Sequence, residues 1–112
     1  MKMKIERTKK GLPAMWESGG GMTNTGYATV IANRDGSPKK PVYIRKRGSL
    51  ACENHALIII SVGDLVVETN HHRYDFETAV YRIDRIGDDE AALSLLYEFS
   101  NGEWDQEPPA GI

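Results

Sequence analysis

Cys52, His55, His71 and His72 hold every thiol and imidazole in this 112-residue chain. Thiolate and imidazole are ligands that zinc favours, and Cys-x-x-His is a usable pair of them. A structural zinc site needs four such groups and a catalytic one usually three, so the fold must bring them to one face. Read as a hairpin turning at Val62-Gly63, the segment puts His55 opposite Asn70 and His72 opposite Glu53 on one face. Cys52 and His71 then fall on the other face, so a regular hairpin splits the four into two pairs. His55, Glu53 and His72 together also resemble an acid–base group, because imidazole titrates near neutral pH. The plainer reading is a polar loop tip at His71-His72-Arg73 and a small buried Cys52. No nucleophile-elbow, zinc-protease, phosphate-loop or dinucleotide-loop motif accompanies these residues. Non-catalytic binding is therefore the preferred class, with a zinc or acid–base site at this cluster as an alternative.

A second set of residues could hold a polyanion. Lys39, Lys40, Arg45, Lys46 and Arg47 surround Tyr43, and Lys2, Lys4, Arg7, Lys9 and Lys10 form another basic group. Residues 1–50 carry a balance of +8 and residues 51–112 a balance of −10, which the net −2 conceals. Cations beside an aromatic ring on a sheet suit single-stranded nucleic acid: the cations follow phosphates and the ring stacks a base. The isoelectric point near 5.9 is lower than that of a dedicated nucleic-acid domain. Lysines on an edge strand also simply discourage edge-to-edge aggregation. A dipolar surface equally suits a protein-interaction or inhibitor-type module, or a homo-oligomer in which basic and acidic faces meet.

Met15-Trp16-Glu17-Ser18-Gly19-Gly20-Gly21-Met22 is the most unusual string. Trp16 between flexible Met side chains could form an adaptable contact surface, or could plug the end of a barrel. The binding set is thus Lys39, Lys40, Tyr43, Arg45, Lys46, Arg47 and Trp16, for a nucleic-acid or ribonucleoprotein partner or for a protein.

These groups need a scaffold, and strand patterns dominate. Met3 and Ile5 alternate with charges as in an edge strand. Tyr27–Ala32 is β-branched and aromatic, and Asp35-Gly36 is a turn signal. Pro38 and Pro41 forbid a central strand between them, and Val42–Lys46 is the next strand. Leu50–Ser61 and Asp64–Thr69 read as a hairpin, with Gly63 supplying a positive φ. Ile58-Ile59-Ile60 suggests burial on both faces. Phe76–Ile86 is a further strand.

Residues 88–100 admit two readings. Asp88 could cap a short C-terminal helix, with Leu93, Leu96 and Tyr97 at helical spacing. Leu93, Leu95, Tyr97 and Phe99 at period 2 make a strand, which is preferred. Asn101-Gly102 would then turn the chain and set Trp104 against Phe99. Gly11–Gly26 reads as a glycine-rich loop, and 106–112 as a flexible tail.

The expectation is one mainly-β domain over 1–112, a small antiparallel barrel or sandwich of six to seven strands. The lone cysteine asks for no oxidising compartment. The longest apolar run, Ala56–Ile60, is far shorter than the ~20 residues of a membrane span. With no signal-peptide pattern at the start, the expected setting is cytoplasmic and away from membranes.

Overall fold

The computed structural model describes residues 1–18, 26–46, 54–71 and 76–100. The described chain is all-β, an antiparallel sheet curled into a half-barrel. Its strands are β1 (Lys2–Lys4), β2 (Glu6–Arg7), β3 (Pro13–Ser18), β4 (Gly26–Ala32), β5 (Tyr43–Lys46), β6 (Asn54–Ile59), β7 (Leu65–His71), β8 (Phe76–Ile86) and β9 (Glu90–Ser100). Their order across the sheet is β1-β9-β8-β7-β4-β3-β6-β5, with β2 also on β3.

The N-terminal strand is what makes the sheet curl back. β1 pairs with β9 and, one residue later, β2 pairs with β3. Ile5 lies between them, buried, and its amide donates to the Asp89 carbonyl at 3.0 Å. Under this bridge sits the core: Met15, Ile31, Ile58, Ile60, Val66, Ile83, Ala91 and Leu93. In β8 and β9 the core residues stand on one face, as in a half-buried sheet, whereas Ala14-Met15 and Ile31-Ala32 are buried as neighbouring pairs.

β3 corrects the expectation of a loop over Gly11–Gly26. Pro13 has no amide to donate and is tolerated as the first residue of a strand. From there Met15 faces the core while Trp16 faces away, so the alternation is real but short and bracketed by glycines. Among the described residues β3 and β4 share only the Ser18–Thr29 pair, and the Glu17 carboxylate accepts the Ile31 amide at 3.0 Å. This strand, and the split of the N-terminal strand at Ile5, raise the count to nine among the described residues.

The expected hairpin of Leu50–Ser61 with Asp64–Thr69 does not form. β6 lies between β3 and β5, whereas β7 lies between β4 and β8. The turn is as expected: Gly63 has φ +96°, and the Asp64 amide donates to the Ser61 carbonyl at 3.0 Å. A Cβ on Gly63 would strike the Arg34 guanidinium, which packs over it. The turn therefore sends the chain from one part of the curled sheet to another. Ile58 and Ile60 are buried and Ile59 is half-buried, so this segment is covered on both faces.

Residues 90–100 are strand, not helix. The single apolar face expected there is broken by a register shift. Tyr81 pairs with Leu95 but Val80 pairs with Tyr97, leaving Leu96 as the extra residue of a bulge. Tyr97 and Phe99 therefore lie on the face of Val80 and Thr78, away from the side that carries Leu93 and Ile83. No described helix is long and apolar enough to cross a membrane. The Gly19–Gly21 triplet, the Asn101-Gly102 turn with Trp104, and the 106–112 tail lie outside the described residues.

Candidate functional site

Strands β3, β6 and β5 form one end of the sheet, and their register stacks side chains in rows. Trp16, Leu57 and Tyr43 occupy one row; Ser18, His55 and Arg45 occupy the next. Met15 and Ile58, one residue away in each strand, face the core. Alternation thus obliges Trp16, Leu57, Tyr43, His55 and Arg45 to share the outward face.

There they touch. The Arg45 guanidinium lies 5.0 Å from the centroid of the Trp16 ring, within cation–π range. Trp16 meets Tyr43 edge to face, with centroids 6.2 Å apart and planes at 73°. The His55 ring stands 6.4 Å from Trp16. Trp16 is half-buried in this group, and Tyr43 and Arg45 are exposed. The result is a platform of two rings and a planar cation on an edge of the sheet, since among the described strands β5 pairs with β6 alone.

A groove of about 600 Å³ continues from the platform. Leu57, Ile59, Leu12, Val42 and Tyr43 make it apolar, and Lys9 and Lys10 stand at its lip in the Thr8–Leu12 turn. Sequence patterning does not reveal this groove, because Leu12 and Val42 stand thirty positions apart and nothing local joins them. The one signal is the Lys9-Lys10 pair, which belongs to the second basic group.

The other basic residues divide. Lys39 is not on the platform: its ammonium pairs with the buried Asp64 carboxylate, which also accepts the Ser61 amide at 2.8 Å. Arg7 donates to the carbonyls of Gly11 at 3.0 Å, Gly87 at 2.6 Å and Asp88 at 3.2 Å, tying the 8–12 turn to the β8–β9 turn. Lys40 is exposed in the loop before β5, and Lys46 closes β5 opposite Asn54. Arg47 lies outside the described residues.

The two described histidines, His55 and His71, do not lie on one hairpin. His55 sits on β6 opposite Ser18 and Arg45; His71 ends β7 opposite Gly26 and Phe76. Strands β3 and β4 lie between β6 and β7. Asn70 faces Tyr27 and Glu77 instead of His55. Cys52 and His72 lie outside the described residues, and among those described no three His, Cys, Asp or Glu side chains gather as a metal site. His55 belongs to the aromatic platform.

Two carboxylates are held below their ordinary range. Asp35 accepts the Ser37 hydroxyl and, at 2.9 Å, the Ser37 amide, which lower it in that order. The Ser94 hydroxyl, and after it the Arg82 side chain, lower Asp84. Both lie away from the platform and stabilise turns and bulges.

No protein-family model, no curated protein and no solved structure matches the chain.

Proposed function

We propose that the protein is a non-catalytic binding module whose β3–β6–β5 platform takes single-stranded nucleic acid. The observation that carries this reading is the meeting of Trp16, Tyr43 and Arg45 on one exposed edge of the sheet. Bases present a π-face whatever their identity, and both aromatic rings and guanidinium planes stack on it. Arg45 offers a cation already held over Trp16, and Tyr43 offers an exposed ring. Lys9, Lys10 and Lys40 supply nearby positive charge for phosphates.

The arrangement of charge supports the same reading. β5 and the acidic β9 are far apart in the sheet order, so Glu90 and Glu98 of β9 lie on a strand away from this edge. A base stacked on such a surface contributes about 1–3 kcal/mol, and each phosphate contact adds to the salt dependence.

Fluorescence anisotropy of labelled single-stranded oligonucleotides, titrated from low to physiological salt, tests the proposal. The expected result is binding that weakens with salt and is lost in the Tyr43→Ala/Arg45→Ala variant at unchanged melting temperature. An oligonucleotide panel that shows no binding at low salt overturns it.

A further inference from the structure

The groove beside the platform has a feature that stacking alone does not use. Its floor, Leu57 and Ile59, lies on one face of β6, two residues apart. Leu57 is in the platform row with Trp16 and Tyr43, and Ile59 is in the next row away from Arg45. Successive rows on a strand face are about 6.8 Å apart. Stacked bases advance about 3.4 Å per step along their strand. Bases seated on adjacent rows are therefore too far apart to stack on one another.

We infer that the groove seats a single nucleobase, unstacked from its neighbour on Tyr43, with its phosphate at Lys9 and Lys10. The inference rests on the nucleic-acid reading above. Tyr43 and Leu57 belong to both platform and groove, so a strand crossing one runs into the other. The walls are apolar, as the faces of a base require, and no acidic side chain lines them among the described residues. Arg7 also borders the groove, but its guanidinium is engaged with three backbone carbonyls, which leaves the phosphate to the two exposed lysines. A base held this way cannot remain paired, so the site selects single strands over duplexes of the same sequence.

Short oligonucleotides carrying 2-aminopurine at each position in turn test this, because its fluorescence rises when it leaves the stack. The expected result is a rise at one position on binding, with the matching duplex bound at least tenfold more weakly. Leu12→Asp should abolish that rise. Leu12 is exposed, and its turn is held by its backbone and Thr8, so the melting temperature should stay unchanged. Arg45→Ala should weaken affinity and leave the enhanced position where it was. Binding with no enhanced position, or equal binding of the duplex, overturns the groove assignment and leaves the platform standing. No binding of any oligonucleotide overturns both. Displacement of the groove resonances by decanoate but not by the oligonucleotide assigns the groove to an amphiphile, which also overturns the inference.

Discussion

Arg7 and Arg45 are both exposed arginines from the basic half of the chain, and they are occupied in opposite ways. Arg7 has its guanidinium hydrogens directed at the carbonyls of Gly11, Gly87 and Asp88, joining the N-terminal turn to the acidic β8–β9 turn. Arg45 lies over Trp16 at the far edge of the sheet. The same contrast extends to the two ends of the sheet. At the β1–β9 end, Lys4 sits opposite Glu90 in the register and basic strand meets acidic strand directly. At the β5 end, cations border rings and an apolar groove. Among the described residues, basic and acidic strands thus meet at one end, while at the other Arg45 and Tyr43 stand on a strand whose neighbour, β6, carries no carboxylate. Charge patterning in sequence says how much charge is present. Strand order decides which of it a ligand can reach.

Five measurements test this contrast. The largest effect is expected at Lys39, which the structure places with the fold-holding cations. Lys39→Ala leaves the Asp64 carboxylate buried with only the Ser61 amide, and should cost about 3 kcal/mol, the low end for a broken buried pair. Urea unfolding reads the loss. If stability holds and oligonucleotide affinity falls instead, Lys39 belongs with Arg45.

Next is Tyr43→Ala, expected to weaken oligonucleotide binding by about 2 kcal/mol, roughly thirtyfold, with stability unchanged within ~0.5 kcal/mol. A salt titration of Arg45→Ala should show the slope reduced by about one if the guanidinium contacts a phosphate, and unchanged if it only stacks.

Arg7→Ala should do the reverse. It should lower stability by about 1 kcal/mol through the three lost carbonyl contacts, and leave the salt slope of binding unaltered. A reduced slope would mean that Arg7 serves the ligand together with Lys9 and Lys10.

The smallest effect is acid-linked and lies at the acidic end. The Ser94 hydroxyl, and then Arg82, hold the Asp84 carboxyl below its ordinary value. A carboxyl depressed in the folded state adds stability above the unfolded value near 3.9, and the gain is lost as pH falls through the folded value. Ser94→Ala should therefore lower the melting temperature slightly at pH 7. The gap should close below about pH 4. A gap that persists at pH 2 would show that Ser94 acts through packing alone.

Several elements of the fold are legible in the amino-acid sequence. Tyr27–Ala32, Val42–Lys46 and Phe76–Ile86 each carry alternation strong enough to mark a strand, and the observed strands follow them within a residue. The Val-Gly-Asp string announces the positive φ of Gly63. Pro13–Ser18 is hard to recognise as a strand because its six residues stand between glycines that read as loop. The candidate site is half legible. Composition singles out Trp16, Tyr43 and Arg45, but nothing local places Trp16 within reach of Arg45, twenty-nine positions later. Spacing groups His55 with Cys52, which lies outside the described residues, and nothing in that spacing announces the Trp16 ring beside which the fold sets His55.

Which residues alternate, where the turns fall and how much charge each half carries are dictated by the amino-acid sequence alone, because φ/ψ preference and period-2 patterning are local properties. Which strands become neighbours is settled only when the chain is folded. Alternation records whether a side chain points in or out, and it carries no label for the strand alongside. Hence the same apolar run that suggests a β6–β7 hairpin serves equally well between β3 and β5, where the fold places it with Ile58 and Ile60 in one core with Met15 and Ile5. The platform is a consequence of that choice, since Trp16, Leu57 and Tyr43 share a row only when β3, β6 and β5 lie side by side.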